Sequence, residues 1–101
     1  MEGIVKAFLF LGVAIMQSAT SSTVLADNKQ DARITWQSGS SSPSDCPFGN
    51  VAGDALIVKT QNGCIQFAWK NANAFDGIYI SVYWANINKW SVWKKIAVTN
   101  V

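Results

Sequence analysis

The chain has 101 residues, with eight Lys or Arg against six Asp or Glu, no histidine, and a net charge of +2. That balance is too mild to name a polyanionic partner, and Lys94-Lys95 is its only contiguous basic pair beyond the N-terminal region, so nucleic-acid binding is not indicated. The lack of histidine excludes a Ser-His-Asp triad and, with only two cysteines, a Cys/His metal site.

The N-terminus reads Lys6, the apolar run Ala7 to Met16, and a small-residue stretch ending Val24-Leu25-Ala26. The run is about half of the ~20 residues that a membrane-crossing helix needs. Val24 and Ala26 put small side chains where a signal peptidase acts, so residues 1–26 read as a cleaved secretory signal peptide, although Glu2 weakens its basic start. No cysteine follows the cleavage site to carry a lipid. The expectation is a secreted or periplasmic protein whose working part is one small domain, residues 27–101.

Within that domain Asp27 to Ala32 reads as a charged, mobile arm, and Arg33 to Gln37 as a short strand. Ser38 to Asp45, with Gly39 and Pro43, is a small-polar loop leading into Cys46-Pro47-Phe48-Gly49-Asn50. Ala55 to Gln61 and Cys64 to Trp69 then flank Asn62-Gly63, the pair favoured in a type I′ hairpin turn. Placing Gln61 opposite Cys64 pairs Thr60 with Ile65, Val58 with Phe67 and Leu56 with Trp69 on one face, which is apolar enough to be the core. Lys59 with Gln66 and Ile57 with Ala68 occupy the other face.

Lys70 to Gly77 reads as a loop or a single helical turn. Ile78 to Trp84 alternates, with Ile78, Ile80, Val82 and Trp84 expected inward and Tyr79, Ser81 and Tyr83 outward. Asn86 to Lys89 turns the chain, and Trp90 to Val98 returns as the last strand. The fold class is all-β: about five short antiparallel strands forming a small barrel or a two-layer sandwich. A domain of this size buries only about 60% of its unfolded surface. A Cys46–Cys64 disulfide is the expected staple, worth about 3 kcal/mol in an oxidising compartment.

Candidate chemistry is sparse. General acid–base work would need two of Asp45, Asp54 and Asp76 close together, and turn roles explain them better. Ser38, Ser40, Ser41, Ser42 and Ser44 have no histidine to activate them. Asn71, Asn73 and Asp76 depart from calcium-loop spacing. The expectation is a protein that is not an enzyme and carries no cofactor and no metal.

Aromatic density is what stands out. A core accounts for Trp69, Trp84, Phe67 and Trp36; with Trp84 inward, Tyr79 and Tyr83 face out, and Trp90 and Trp93, three apart on one strand, must face opposite ways. The candidate ligand-binding surface is therefore the second hairpin, with Tyr79, Tyr83, Trp90 and Trp93 as stacking rings and Asn86 and Asn88 as polar contacts. This suits a lectin-like module for an extracellular glycan. The alternative is a protein–protein module, such as an inhibitor, a toxin or effector subunit or a periplasmic immunity-type protein, with a homo-oligomer among its forms. A third reading, a membrane-active antimicrobial protein, rests on Trp90 to Lys95 and the mild positive charge.

Overall fold

Alternating β-branched and aromatic side chains favour pleated strands, and most of the chain beyond the loops adopts them. The structure, a computed structural model, describes residues 16–20 and 22–101. Lys6 and the apolar run as far as Ile15 lie outside the described residues. Strands β1 (Met16–Ser18), β2 (Ala32–Trp36), β3 (Gly53–Thr60), β4 (Gly63–Lys70), β5 (Gly77–Trp84), β6 (Lys89–Trp90) and β7 (Lys94–Ala97) form one sheet. It is a seven-stranded sheet ordered β1-β2-β3-β4-β5-β6, with β7 following β6 along the outer edge of β5.

The expected barrel or sandwich is thus corrected to a single open sheet, and a mixed one, because β1 runs parallel to β2. The reason is local: Met16 to Ser18, assigned above to the leader, supply the ladder that the β2 edge would otherwise lack.

The β3–β4 hairpin forms where expected but two residues out of register. Thr60 faces Gly63 and Leu56 faces Phe67, so Gln61-Asn62 makes the loop. Gly63 is drawn into β4 because it lies against the Tyr83 carbonyl, which a Cβ at this position would strike. A type I′ turn needs positive φ at both loop residues, and Asn88 is the one non-glycine with positive φ among the described residues. A two-residue shift keeps parity, so the same side chains share each face.

Which face is covered is reversed. Ile57, Cys64, Gln66, Ala55 and Ala68 are fully buried, whereas Val58 and Trp84 on the opposite face are 38% and 47% exposed. The cover is the chain between the first two strands and β3. It lies on the side where Ala55, Ala68 and Gly53 leave room. At Gly53 a Cβ would come within 2.7 Å of both Phe48 Cζ and Trp36 Cζ2. Phe48 stacks on Trp36 at 5.9 Å and tilts against Tyr79 at 5.2 Å, and Trp36 Nε1 donates to the Val51 carbonyl at 2.9 Å. Covering this face has a cost: the Gln66 amide is buried with no hydrogen-bond partner among the described residues, a deficit of about 1–3 kcal/mol.

The segment ahead of β2 is part of this cover. Leu25 begins a single 3-10 turn, Leu25–Asp27, and is fully buried. The Asp45 carboxylate accepts the Leu25 N–H at 2.6 Å and the Ala26 N–H at 2.9 Å, and Trp90 Nε1 donates to the Ala26 carbonyl at 2.9 Å. The arm that follows is tied down as well. Asp31 Oδ1 accepts the Lys59 N–H at 2.7 Å, and the Lys29 ammonium lies 5.2 Å from the centre of the Tyr83 ring.

The last strand is broken. Tyr83 faces Trp90 and Ile80 faces Lys94, so Ser81 and Val82 of β5 stand against three residues, Ser91 to Trp93. This is a one-residue β-bulge, pinned by the Ser81 hydroxyl donating to the Ser91 carbonyl at 2.7 Å and the Val82 N–H donating to Ser91 Oγ at 2.9 Å. It overturns the parity argument for Trp90 and Trp93: the extra residue turns both rings to the covered face, where both pack against the core.

Cys46 and Cys64 are free thiols, which corrects the expected disulfide. The loop carrying Cys46 is anchored by Phe48 at the Trp36–Tyr79 end of the covered face. Cys64 faces Tyr83, with Sγ 4.0 Å from the Asn28 carbonyl, four residues or about 13 Å along β4 from Ala68, which faces Tyr79. Burial pushes both thiols above their ordinary pKa; Asp45 adds to this at Cys46, while Lys59 and Lys29 partly offset it at Cys64. Both are therefore protonated, and slow to react, at neutral pH.

Candidate functional site

Of the residues expected to bind ligand, the four rings are on the covered face. Tyr83 is buried, its ring 5.3 Å from that of Trp90, and its hydroxyl donates to Asn88 Oδ1. Tyr79 packs on Phe48 and reaches Asp76 with its hydroxyl at 3.5 Å. Trp90 holds the Ala26 carbonyl, and Trp93 is half-buried. Asn86 and Asn88 are exposed, but the Asn88 side chain is committed to Tyr83 and its backbone to the turn, at φ 49°. Asn88 thus stays with the rings as a hydrogen-bond partner of Tyr83, while Asn86 stands apart from them beside Trp84. Trp90 and Trp93 turn toward the covered face, while Lys94 faces away from it beside Ile80.

What the fold brings together instead is the other face of β3, β4, β5 and β7. Across it run rows set by the ladder: Val58, Ile65 and Val82; then Leu56, Phe67 and Ile80. Every apolar side chain on these rows remains partly exposed, and Ile96, facing Ile78 from β7, is 59% exposed. Charge is confined to the margins. Arg33, paired with Leu56, and Lys94, paired with Ile80, end the central row, and Arg33 Nη2 lies 3.9 Å from Asp54 Oδ1.

At the hairpin end, Trp84 walls a cleft of about 360 Å³ with Gln61, Asn62, Ala85 and Asn86. A second hollow of about 290 Å³ adjoins it, lined by Thr60, Ile65 and Val82 as well. Of the expected contacts only Asn86 is at this cleft. The sequence does hold a signal for this arrangement: Gly53, Ala55, Ala68 and Ser81 share one parity, and small side chains admit a covering chain where Leu56, Phe67 and Ile80 would hold it off.

The carboxylates serve separate structural tasks. Asp45 holds the Leu25 turn and Asp54 sits beside Arg33. Asp76 accepts from Lys95 Nζ at 2.6 Å and from Lys70 Nζ at 3.1 Å, tying β7 and β4 to the start of β5. These hydrogen bonds, with Lys95 the stronger cause, lower the Asp76 pKa from its ordinary 3.8, and the bond to Asp76 raises that of Lys95 from 10.5. A depressed carboxylate stabilises the fold above its ordinary range and loses that contribution as pH falls through the folded value. A raised ammonium contributes below its ordinary range and loses it as pH rises through the folded value. The cluster therefore keeps full strength from about pH 4 to about pH 10. Asn71 and Asn73 are exposed, and Asp76, the anionic member of that sequence cluster, already faces two ammonium groups.

No protein-family model, curated protein or solved structure matches this chain.

Proposed function

We propose that the chain is a non-catalytic protein–protein binding module that docks through the uncovered face of β3, β4, β5 and β7. The supporting observation is the central row, Leu56, Phe67 and Ile80, apolar and partly exposed, with its charges held at either end by Arg33 and Lys94. Uncharged centres with charged rims are the anatomy of protein interfaces, and contiguous apolar patches on small soluble domains mark contact sites. The secreted or periplasmic setting belongs to the same proposal and rests on the apolar run after Lys6; with β1 and Leu25 built into the fold, it calls for a leader that ends ahead of Met16 rather than at Ala26.

A second reading, carbohydrate binding, is supported by the Trp84 cleft, where an indole 47% exposed stands among the amides of Gln61, Asn62 and Asn86. An indole supplies a stacking face and the amides supply hydrogen bonds. One experiment separates the two. A photoreactive phenylalanine analogue is placed at Ile80, and separately at Ala85, in cells that express the protein. Protein adducts from position 80 are expected. Carbohydrate adducts from position 85 with none from position 80 would transfer the function to the cleft.

A further inference from the structure

β5, Ile78-Tyr79-Ile80-Ser81-Val82-Tyr83-Trp84, is apolar on both sides, which is how strands covered on both faces read. β4 has the same character, with Ile65 and Phe67 on one face and Ala68 and Cys64 on the other. One side is covered by the Leu25 turn and the loop that carries Asp45 and Phe48. Among the described residues no second sheet or helix covers the other. The chain provides one sheet with one face covered.

We infer that the missing layer is a second copy of this chain, packed face to face through Leu56, Phe67 and Ile80 in a two-fold dimer. This rests on the docking reading above and names its partner. Two observations favour a copy, and a third sets how the pairing responds to salt.

The first is shape. A twisted sheet is best covered by a sheet of the same twist, packed about 10 Å away with strands about 30° apart, and a second copy supplies that twist by construction.

The second is area. β3, β4 and β5 are each eight residues long. With the four-residue β7 beside half of β5, the face is about 26 Å by 14 Å plus about 13 Å by 5 Å, roughly 430 Å² before side-chain relief is counted. That relief brings it to the scale of the ~600–800 Å² per partner that specific dimers bury.

The third is charge. Arg33 and Lys94 at opposite rims have the same sign, and Asp54, beside Arg33, is buried at 4% exposure. Two copies therefore bring no opposite charges to the contact, so charge does not drive their pairing. In a two-fold pair each apolar row meets its own equivalent, so association is driven by apolar area and should not weaken with salt.

The test is sedimentation equilibrium of the full chain at micromolar concentrations, in low and high salt, beside Ile80→Lys and the milder edge variant Val58→Lys. The expected result is a dimer in both salts, with dissociation about a hundredfold or more easier in Ile80→Lys, since a lysine would be buried unpaired at the centre. Far-UV circular dichroism establishes that each variant is folded; if Ile80→Lys is not, Val58→Lys carries the comparison. A monomeric wild-type chain overturns the dimer. If protein adducts still form at position 80, the docking reading stands with another partner; if none form, both fall. Association that persists in both folded variants also overturns the proposal, because it would run through a different surface.

Discussion

Leu25→Ala is expected to destabilise the full chain by about 3 kcal/mol, within the 2–5 typical of a leucine truncated in a packed interior. The side chain is fully buried beneath the loop that carries Asp45. Asp45→Ala should have a comparable effect. It removes a carboxylate that accepts two consecutive backbone N–H groups, at 2.6 and 2.9 Å, and hydrogen bonds to charged groups contribute about 1.5–3 kcal/mol each. A chain beginning at Asp27 lacks Leu25, both of those N–H donors, the Ala26 carbonyl that receives Trp90, and β1. Set against a total stability of about 5–15 kcal/mol for an ordinary domain, that combined loss leaves residues 27–101 loosely packed or unfolded. Urea titration of the full chain, the two variants and the 27–101 chain gives the comparison. A 27–101 chain as stable as the full one is the outcome that cleavage of a leader after Ala26 requires, and it would remove residues 16–26 from the account of the core.

Gly63→Ala is expected to cost about 3 kcal/mol, the upper end of the usual overpacking range. The added methyl meets backbone rather than a side chain able to swing aside: the Tyr83 carbonyl oxygen occupies the place of the new Cβ, with the Ala85 nitrogen 3.4 Å from it. Asn62→Ala, one residue earlier in the exposed loop, should change stability by less than about 0.5 kcal/mol. The contrast separates the two registers of the hairpin. With Asn62-Gly63 as a type I′ turn both substitutions would be costly, because both positions would need positive φ. Equal effects at the two positions would therefore restore the register in which Gln61 faces Cys64.

The legibility of this fold divides along a physical line. Where a signal depends on neighbours in sequence, it held: alternation places β2, β4 and β5 to within a residue or two, and parity correctly groups Leu56, Val58, Ile65 and Phe67 on one face. What it could not reach were decisions made by distant parts of the chain. Parity says which residues share a face but not which face is covered. That is decided by Phe48, Leu25 and Asp45 arriving from segments whose composition reads as leader and polar loop.

One inserted residue after Trp90 then undid the inference about the rings. Strand alternation puts residues three apart on opposite faces, but a bulge at Ser91 to Trp93 resets the count and turns Trp90 and Trp93 the same way. Its cue was present in Ser91, which hydrogen-bonds across to Ser81 and Val82, yet serine in a strand is too common to announce a bulge alone. The disulfide failed for a third reason. Compartment and count make Cys46 and Cys64 natural partners, but pairing also requires their Cα atoms within about 7 Å and facing Cβ atoms, a tertiary condition that count does not carry, and the two remain separate thiols.

The residues expected to share one surface divide in space, with Tyr79, Tyr83, Trp90 and Trp93 on the covered face and Asn86 beside Trp84. An aromatic, amide-bearing surface exists around Trp84 and Asn86, one face away from the expected one, and the broader apolar face beside it comes from residues assigned to the core.

The face of Leu56, Phe67 and Ile80 is free in the single chain while the face of Ile57, Cys64 and Gln66 is covered. Hydroxyl-radical footprinting of the full chain, read residue by residue by mass spectrometry across a dilution series, tests it most directly. Ile57 and Ile65 provide an internal comparison, since they have the same intrinsic reactivity and lie on opposite faces of adjacent strands. The expected result is strong labelling of Ile65, Phe67 and Trp84 at high dilution, protection of Ile57, Ile34 and Leu25 throughout, and growing protection of the first group as concentration rises. Labelling of Ile57 above Ile65 in the dilute chain would mean that the covered and open faces are the reverse of those described, and the docking surface would fall with them.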